Sequence, residues 1–357
     1  MKSHHLLLGV ILWGAVSCEP SNTDQKEVSA PQSEPVQEVK NEQKGTSHPE
    51  ALKKAQTFFD VLPDVAENPD NPITPEKVAL GKALYYDVIL SKDRTISCNS
   101  CHNLDTYGVD NLSFSPGNDG TLGGRNSPST LNAALHMAQF WDGREPDVEA
   151  QAGGPVLNPV EMAMTSEEEV VERLSEEDQY IDMFDAAFPE DEEAITYENM
   201  KRAIGAFERK LITKSRFDQF MHGDDTALTD EEVAGMETFI SVGCITCHSS
   251  ATLGGNMYQK FGVYGDYWTL TGSEKHDEGR FEVTQKEADK YMFKTPSLLN
   301  VAKTAPYFHD GSVDDLGKAI QIMAKLQLDK DLTDTEVAQI EVFLNALTGE
   351  VPAELKM

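Results

Sequence analysis

The sequence is short of cysteine, of positive charge and of long apolar runs. Its 357 residues include only five cysteines, too few to suggest a disulfide-stapled scaffold, so stability must come mainly from burial. Lys and Arg number 30 against 61 Asp and Glu, a formal charge of −31. Phosphate backbones would be repelled by such a chain, which makes nucleic acid a poor partner. The apolar run from Leu6 to Val16 falls short of the about 20 residues that a membrane-spanning helix needs. Placed behind Lys2 and ahead of Ala15-Val16-Ser17, it reads as a secretory signal over residues 1–17.

What the chain does contain is one motif used twice. Cys98-Asn99-Ser100-Cys101-His102 and Cys244-Ile245-Thr246-Cys247-His248 both follow Cys-X-X-Cys-His. Two thiols at this spacing can each form a thioether to a haem vinyl group, and the adjoining histidine can then reach the iron. The competing reading is a structural zinc site built from both cysteine pairs. A histidine follows the second cysteine each time, and the pairs lie far apart in sequence, which favours haem. Two covalently bound c-type haems are therefore expected, with four of the five cysteines committed to them.

The fifth, Cys18, follows small residues in the manner of a bacterial lipobox, where the thiol is acylated and becomes the mature N-terminus. Ordinary cleavage nearby is the alternative. Either way the expectation is export to the periplasm, with Cys18 as the anchor to the outer membrane in the first case. Residues 18–50, rich in Glu, Gln, Ser, Pro, Lys and Thr, have too few large apolar side chains to fold and read as a disordered tether.

Helical signals dominate beyond it. Thr74-Pro75 places a capping hydroxyl before a proline suited to the first helical position. Thr229 with Glu232, and Thr333 with Glu336, fit the capping box ahead of apolar periodic stretches. Further helices are predicted over Val170 to Phe188 and Tyr197 to Phe220. Segments 103–130 and 249–280 are long, rich in glycine and without regular period, as functional loops are. The expected fold is mainly α: two cytochrome c-like haem domains, 51–212 and 213–357, with long irregular loops.

The ordered series Ile96 to His102, Arg125-Asn126-Ser127-Pro128, Phe140-Trp141-Asp142-Gly143-Arg144, Gln151-Ala152, Glu161-Met162, Phe293-Lys294-Thr295-Pro296 and Thr304 to Gly311 resembles the bacterial dihaem cytochrome c peroxidases. The likeness runs from about residue 72 to 349. It implies an oxidoreductase that reduces hydrogen peroxide with electrons from a small cytochrome c or cupredoxin. The wider family also holds a dihaem oxidase of a protein substrate, so that activity, another oxidase activity, or electron transfer without catalysis are the alternatives.

The resemblance gives each position a role. The first haem, with His102 as proximal ligand, takes the peroxide side, with Glu161 as acid and base and Gln151 as the neighbouring amide. Trp141 matches the aromatic residue between the haems. Met323 matches the sixth ligand opposite His248 at the second haem, where the protein-oxidising relative carries a tyrosine. Asn126, Thr304 and Pro306 match a calcium site of oxygen donors, and His309 a hydrogen-bonding residue near the second haem. A homodimer is a further possibility that the family brings.

One departure stands out. Many members place a histidine in the loop after the first motif, where it blocks the iron until the second haem is reduced. Here Asn118 occupies that place, and neither histidine nor methionine occurs between His102 and His136. An amide is a poor haem ligand, so the first iron is expected to be open at rest, unless another side chain such as Tyr107 takes the position.

Overall fold

A computed structural model of the protein describes residues 45–357. The signal, Cys18 and the tether up to residue 44 lie outside the described residues. Helix accounts for 44% of the structure and strand for 5%, which makes the fold mainly α.

The capping signals act as read. The Thr74 side chain accepts a hydrogen bond from the backbone N–H of Lys77 at 3.2 Å, opening the helix Pro75–Tyr86. Complete capping boxes open Asp230–Val242, through Thr229 and Glu232, and Asp334–Ala346, through Thr333 and Glu336. Each box satisfies two backbone donors that a helix start would otherwise leave bare. The helix Asp230–Val242 stops at Gly243, whose φ of 105° suits glycine, and the chain turns directly into Cys244.

Two predicted helical stretches are interrupted. Val170 to Phe188 divides into Glu167–Ser175 and Asp178–Ala187. Leu174 and Tyr180 both enter one core, yet in an unbroken helix of about 3.6 residues per turn they would face different ways. Tyr197 to Phe220 divides into Tyr197–Glu208 and Arg216–Met221. Between them Lys214–Ser215 pairs with Gly349–Glu350, and the Asn132 side chain accepts from the backbone N–H of Thr213 at 3.0 Å. The backbone there is satisfied outside a helix.

Buried apolar side chains gather in two main cores. Leu80, Leu84, Val170, Phe184, Met200 and Ile204 belong to one. The other holds Phe217, Met236, Phe239, Ile340 and Phe343. Close helix packing needs glycine in both: a Cβ on Gly81 would come 1.9 Å from the Ala203 carbonyl oxygen, and one on Gly235 2.1 Å from that of Gln339.

The ends of the described chain cross over. Ala51, Ala55, Phe59 and Leu62, near its start, join the core of the C-terminal helices. Val351 and Leu355, near its finish, pack on Tyr85, Leu104 and Phe207. Lys82 Nζ donates to the carbonyls of Glu354 and Lys356 at 2.8 and 2.6 Å. Residues 45–50, counted with the tether in the sequence, are bonded to the body: Gly45 N–H donates to Thr226 O at 2.9 Å, and a helix begins at Pro49.

Candidate haem pockets and active site

The second motif opens onto a cavity of about 270 Å³, lined among others by Cys244, Cys247, His248, Met323, His309 and Trp141. His248 is 8% exposed. Its Nδ1 donates to the Leu253 carbonyl at 2.9 Å, which leaves Nε2 as the nitrogen with a free lone pair. Burial lowers the pKa of the ring, against the pull of the Leu253 and Pro296 backbone, and so favours the neutral form that binds metal. Burial also pushes the Cys244 thiol up to about 12. Met323 packs against the cluster that holds Phe261, Tyr307, Ile322 and Leu326, on the wall of the same cavity. A concave, largely apolar space bordered by two thiols, an oriented imidazole and a thioether fits a haem.

The first motif forms one turn of helix, Cys98–Cys101, with His102 at its end. The His102 carbonyl accepts from the Tyr85 hydroxyl at 2.6 Å. Its ring is buried, which lowers its pKa, and Nδ1 has no hydrogen bond of ordinary length, although the Gly108 and Pro128 backbones lie near enough to oppose the shift. Cys98 is pushed up to about 12, by burial first and then by the nearby Glu208 carboxyl. Neither Cys98 nor Cys101 is in a disulfide. The paired thiols beside a buried imidazole suit a second haem.

Three loops converge beside this motif. The Asn118 backbone N–H donates to the Glu161 carbonyl at 2.7 Å, and a Cβ on Gly117 would come 1.9 Å from the Val160 carbonyl oxygen. Glu161 also acts electrostatically on Cys101, whose pKa is raised chiefly by burial. Glu161 itself is raised by burial, with Arg144 and the Asn158 side chain opposing. Gln151 lies in the helix Val148–Leu157, which the chain leaves only four residues before Glu161. The Asn118 side chain faces elsewhere: Nδ2 donates to Asp93 Oδ2 at 2.7 Å, and Oδ1 accepts from Asp93 N–H at 3.0 Å and from the Thr95 hydroxyl at 3.3 Å. Tyr107 packs with Cys98 on the cluster around Tyr85 and Phe207.

Trp141 is fixed at both its ring and its backbone. Its Nε1 donates to the Asn126 carbonyl at 2.9 Å, and its own carbonyl accepts from Lys294 N–H at 2.8 Å. Asn126 Nδ2 donates to Leu112 O at 2.8 Å, which leaves Oδ1 as a possible cation donor. Thr304 and Pro306 line the same cavity as Asn126, and neutral oxygen donors of this kind suit calcium. His309 lies between Phe293, 4.4 Å away and stacked, and Trp141, 6.4 Å away and edge-on.

The family model for di-haem cytochrome c peroxidase matches residues 75–226. Cytochrome c551 peroxidase of Nitrosomonas europaea is 42% identical over 290 residues, 80% of this chain and 84% of that protein. The chain belongs to the dihaem cytochrome c peroxidase family. Another member, cytochrome c551 peroxidase of Pseudomonas aeruginosa, is 41% identical over 84% of this chain and 86% of its own. Among solved structures, a MauG-like protein associated with microbial copper homeostasis superposes with a TM-score of 0.71 at 30% identity, covering 82% of this chain and 94% of that one. Membership makes the chain a haem-dependent oxidoreductase.

Some residues around the site escaped the sequence reading. Arg125 bonds Asp277 through two nitrogens, at 2.7 and 2.8 Å, and Asp142 at 2.5 Å. Burial opposes its charge, but Asp277 and Asp142 outweigh that and raise its pKa. Arg125 and Asp142 stand inside the motifs that flank Asn126 and Trp141, which was a usable signal. Asp277 carried none, because it lies in the irregular loop.

Proposed function

We propose that this chain is an exported dihaem peroxidase that reduces hydrogen peroxide to water, taking two electrons and two protons per peroxide. Cys98, Cys101 and His102 would hold the haem of the peroxide side. Cys244, Cys247, His248 and Met323 would hold the one at which electrons enter, the two forming the cores of separate haem domains. The haems supply the iron chemistry and electron storage.

The protein's own residues supply the rest. The Glu161 carboxylate takes a proton from the bound peroxide and returns it to the departing oxygen, a shuttle for which a raised carboxyl pKa is suited. Gln151 orients the peroxide. Trp141, immobilised by Asn126 and Lys294, passes electrons between the sites. Met323 favours the reduced form of its haem, as electron entry requires. Calcium at Asn126, Thr304 and Pro306 would brace the same region. The donor is a small cytochrome c or cupredoxin with a surface that complements the acidic one here. Acylated Cys18 would tie the protein to the outer membrane on the periplasmic side; among the described residues no helix is long and apolar enough to cross a membrane. Association into a homodimer belongs to the same reading.

The observation that carries the proposal is the unequal pair of sites: Met323 shares a cavity with His248, while Asn118 is bonded to Asp93 and Thr95. The test is oxidation of reduced cytochrome c or cupredoxin by hydrogen peroxide, with Glu161→Gln alongside. Oxidation of another substrate in place of peroxide-driven donor turnover would instead favour the oxidase reading, to which the MauG-like structure lends some weight. Electron exchange without peroxide turnover would leave a plain cytochrome.

A further inference from the structure

Lys294 is 6% exposed and makes no ion pair with a carboxylate among the described residues. Its one side-chain partner is His136, with Nζ 3.3 Å from Nδ1. The acidic group that acts on it, Asp142, is already bonded by Arg125 and Arg144. Both Lys294 and His136 line the cavity of the second motif.

The hydrogen-bond inventory of this pair is lopsided. An ammonium only donates, so His136 Nδ1 must accept from it, and the proton of the neutral ring then sits on Nε2. That Nε2 is buried without a partner. Burial lowers the pKa of both groups, His136 well below its usual range and Lys294 to about 8, as expected where a countercharge is missing. Two donors on one cavity wall, an ammonium without a countercharge and an imidazole N–H without an acceptor, ask for an anion, since leaving such groups bare is costly. The His136 ring lies close against Gly255, where a Cβ would come 2.4 Å from its Cδ2.

We propose that Lys294 and His136 form the carboxylate seat for a propionate of the haem carried by the second motif. The ammonium pairs with the propionate, and His136 Nε2 donates a hydrogen bond to it. The backbone of Lys294 at the same time holds the Trp141 carbonyl, so one residue positions both the haem edge and the neighbouring indole. This rests on the second motif carrying haem.

The experiment compares the holoprotein with Lys294→Met and Lys294→Arg. Haem content is measured first, by absorbance of the denatured chromophore. A chain that carries no haem at Cys244 and Cys247 overturns the functional reading, and this seat with it. With haem in place, a redox titration followed by electron paramagnetic resonance reads each iron separately. Loss of the cation in Lys294→Met is expected to shift the reduced-to-oxidised ratio of the second haem about tenfold toward oxidised, a fall of about 59 mV for one electron. Lys294→Arg should stay near wild type. Resonance Raman of the propionate bending band, which should move in the methionine variant alone, separates loss of the seat from general loosening. If haem is bound and neither potential nor band moves in Lys294→Met, the seat is wrong and Lys294 is only a packing residue.

Discussion

Asn118 and Asp93 hold each other twice: the amide nitrogen of Asn118 donates to the Asp93 carboxylate at 2.7 Å, and its amide oxygen accepts from the Asp93 backbone N–H at 3.0 Å. A side chain bound this way at both ends does not serve as an iron ligand. The resting ferric protein is therefore expected to show a high-spin component from its first haem, and to react with peroxide before any reduction. Electron paramagnetic resonance checks this directly, and a purely low-spin resting spectrum would refute it. Asn118→Ala should keep the high-spin signal and cost about 1 kcal/mol of stability through the lost bonds.

Glu161→Gln should lower peroxide turnover by about 10²- to 10⁴-fold with both haem spectra preserved. The pH profile gives a sharper test. A buried carboxyl with a raised pKa stays protonated to a higher pH than an ordinary glutamate. If the carboxylate is the base, wild-type activity rises with pH through a limb above the usual carboxyl range. The glutamine variant should have no such limb; its survival there would remove Glu161 from the proton path.

Arg125 neutralises Asp277 while also bonding Asp142. Its removal leaves Asp277 buried without its cation, so Arg125→Ala should cost about 3 kcal/mol or more in urea unfolding. The loss should be accompanied by slower electron transfer between the haems in stopped-flow traces, because Asn126 and Trp141 lie beside the charges being released.

Glu208 has the opposite electrostatic situation. The neighbouring Arg209 is taken by Glu149, with bonds of 2.7 Å from both Nε and a terminal nitrogen. Burial, and then the Glu149 charge, push Glu208 from 4.5 up to about 8. The folded state therefore keeps a proton that the unfolded chain has already lost, so this group's contribution is fully present below pH 4.5 and fades as pH rises to about 8. Glu208→Gln should gain at least about 1 kcal/mol on wild type between pH 5 and pH 8, since one pKa unit is worth about 1.4 kcal/mol. Calorimetry at the two pH values decides it; a constant difference would mean that Glu208 ionises normally.

Much of this was legible in the residues because short-range chemistry carries it. Capping hydroxyls at Thr74, Thr229 and Thr333 mark helix starts by bonds that reach only three residues ahead, and both Cys-X-X-Cys-His motifs are contiguous. The break between Leu174 and Tyr180 was not legible, because it is imposed by a core that both must reach. Lys294 and His136 are 158 residues apart, and nothing local to either shows that they meet. Asp277 and Arg125 are 152 apart, and they too are joined only by the path of a loop without period.

The crossed ends of the chain bear on how the molecule is made. Tyr85 and Phe207 are covered by Val351 and Leu355, which are synthesised long after them. Phe59 and Leu62 in turn wait for Phe217 and Phe343. The C-terminal core and the cluster around Tyr85 each draw on both halves of the sequence, whereas the core of Leu80 and Ile204 closes within residues 80–204. Machinery that attaches cofactor at Cys98 can therefore act before Val351 and Leu355 cover the cluster on which that thiol packs.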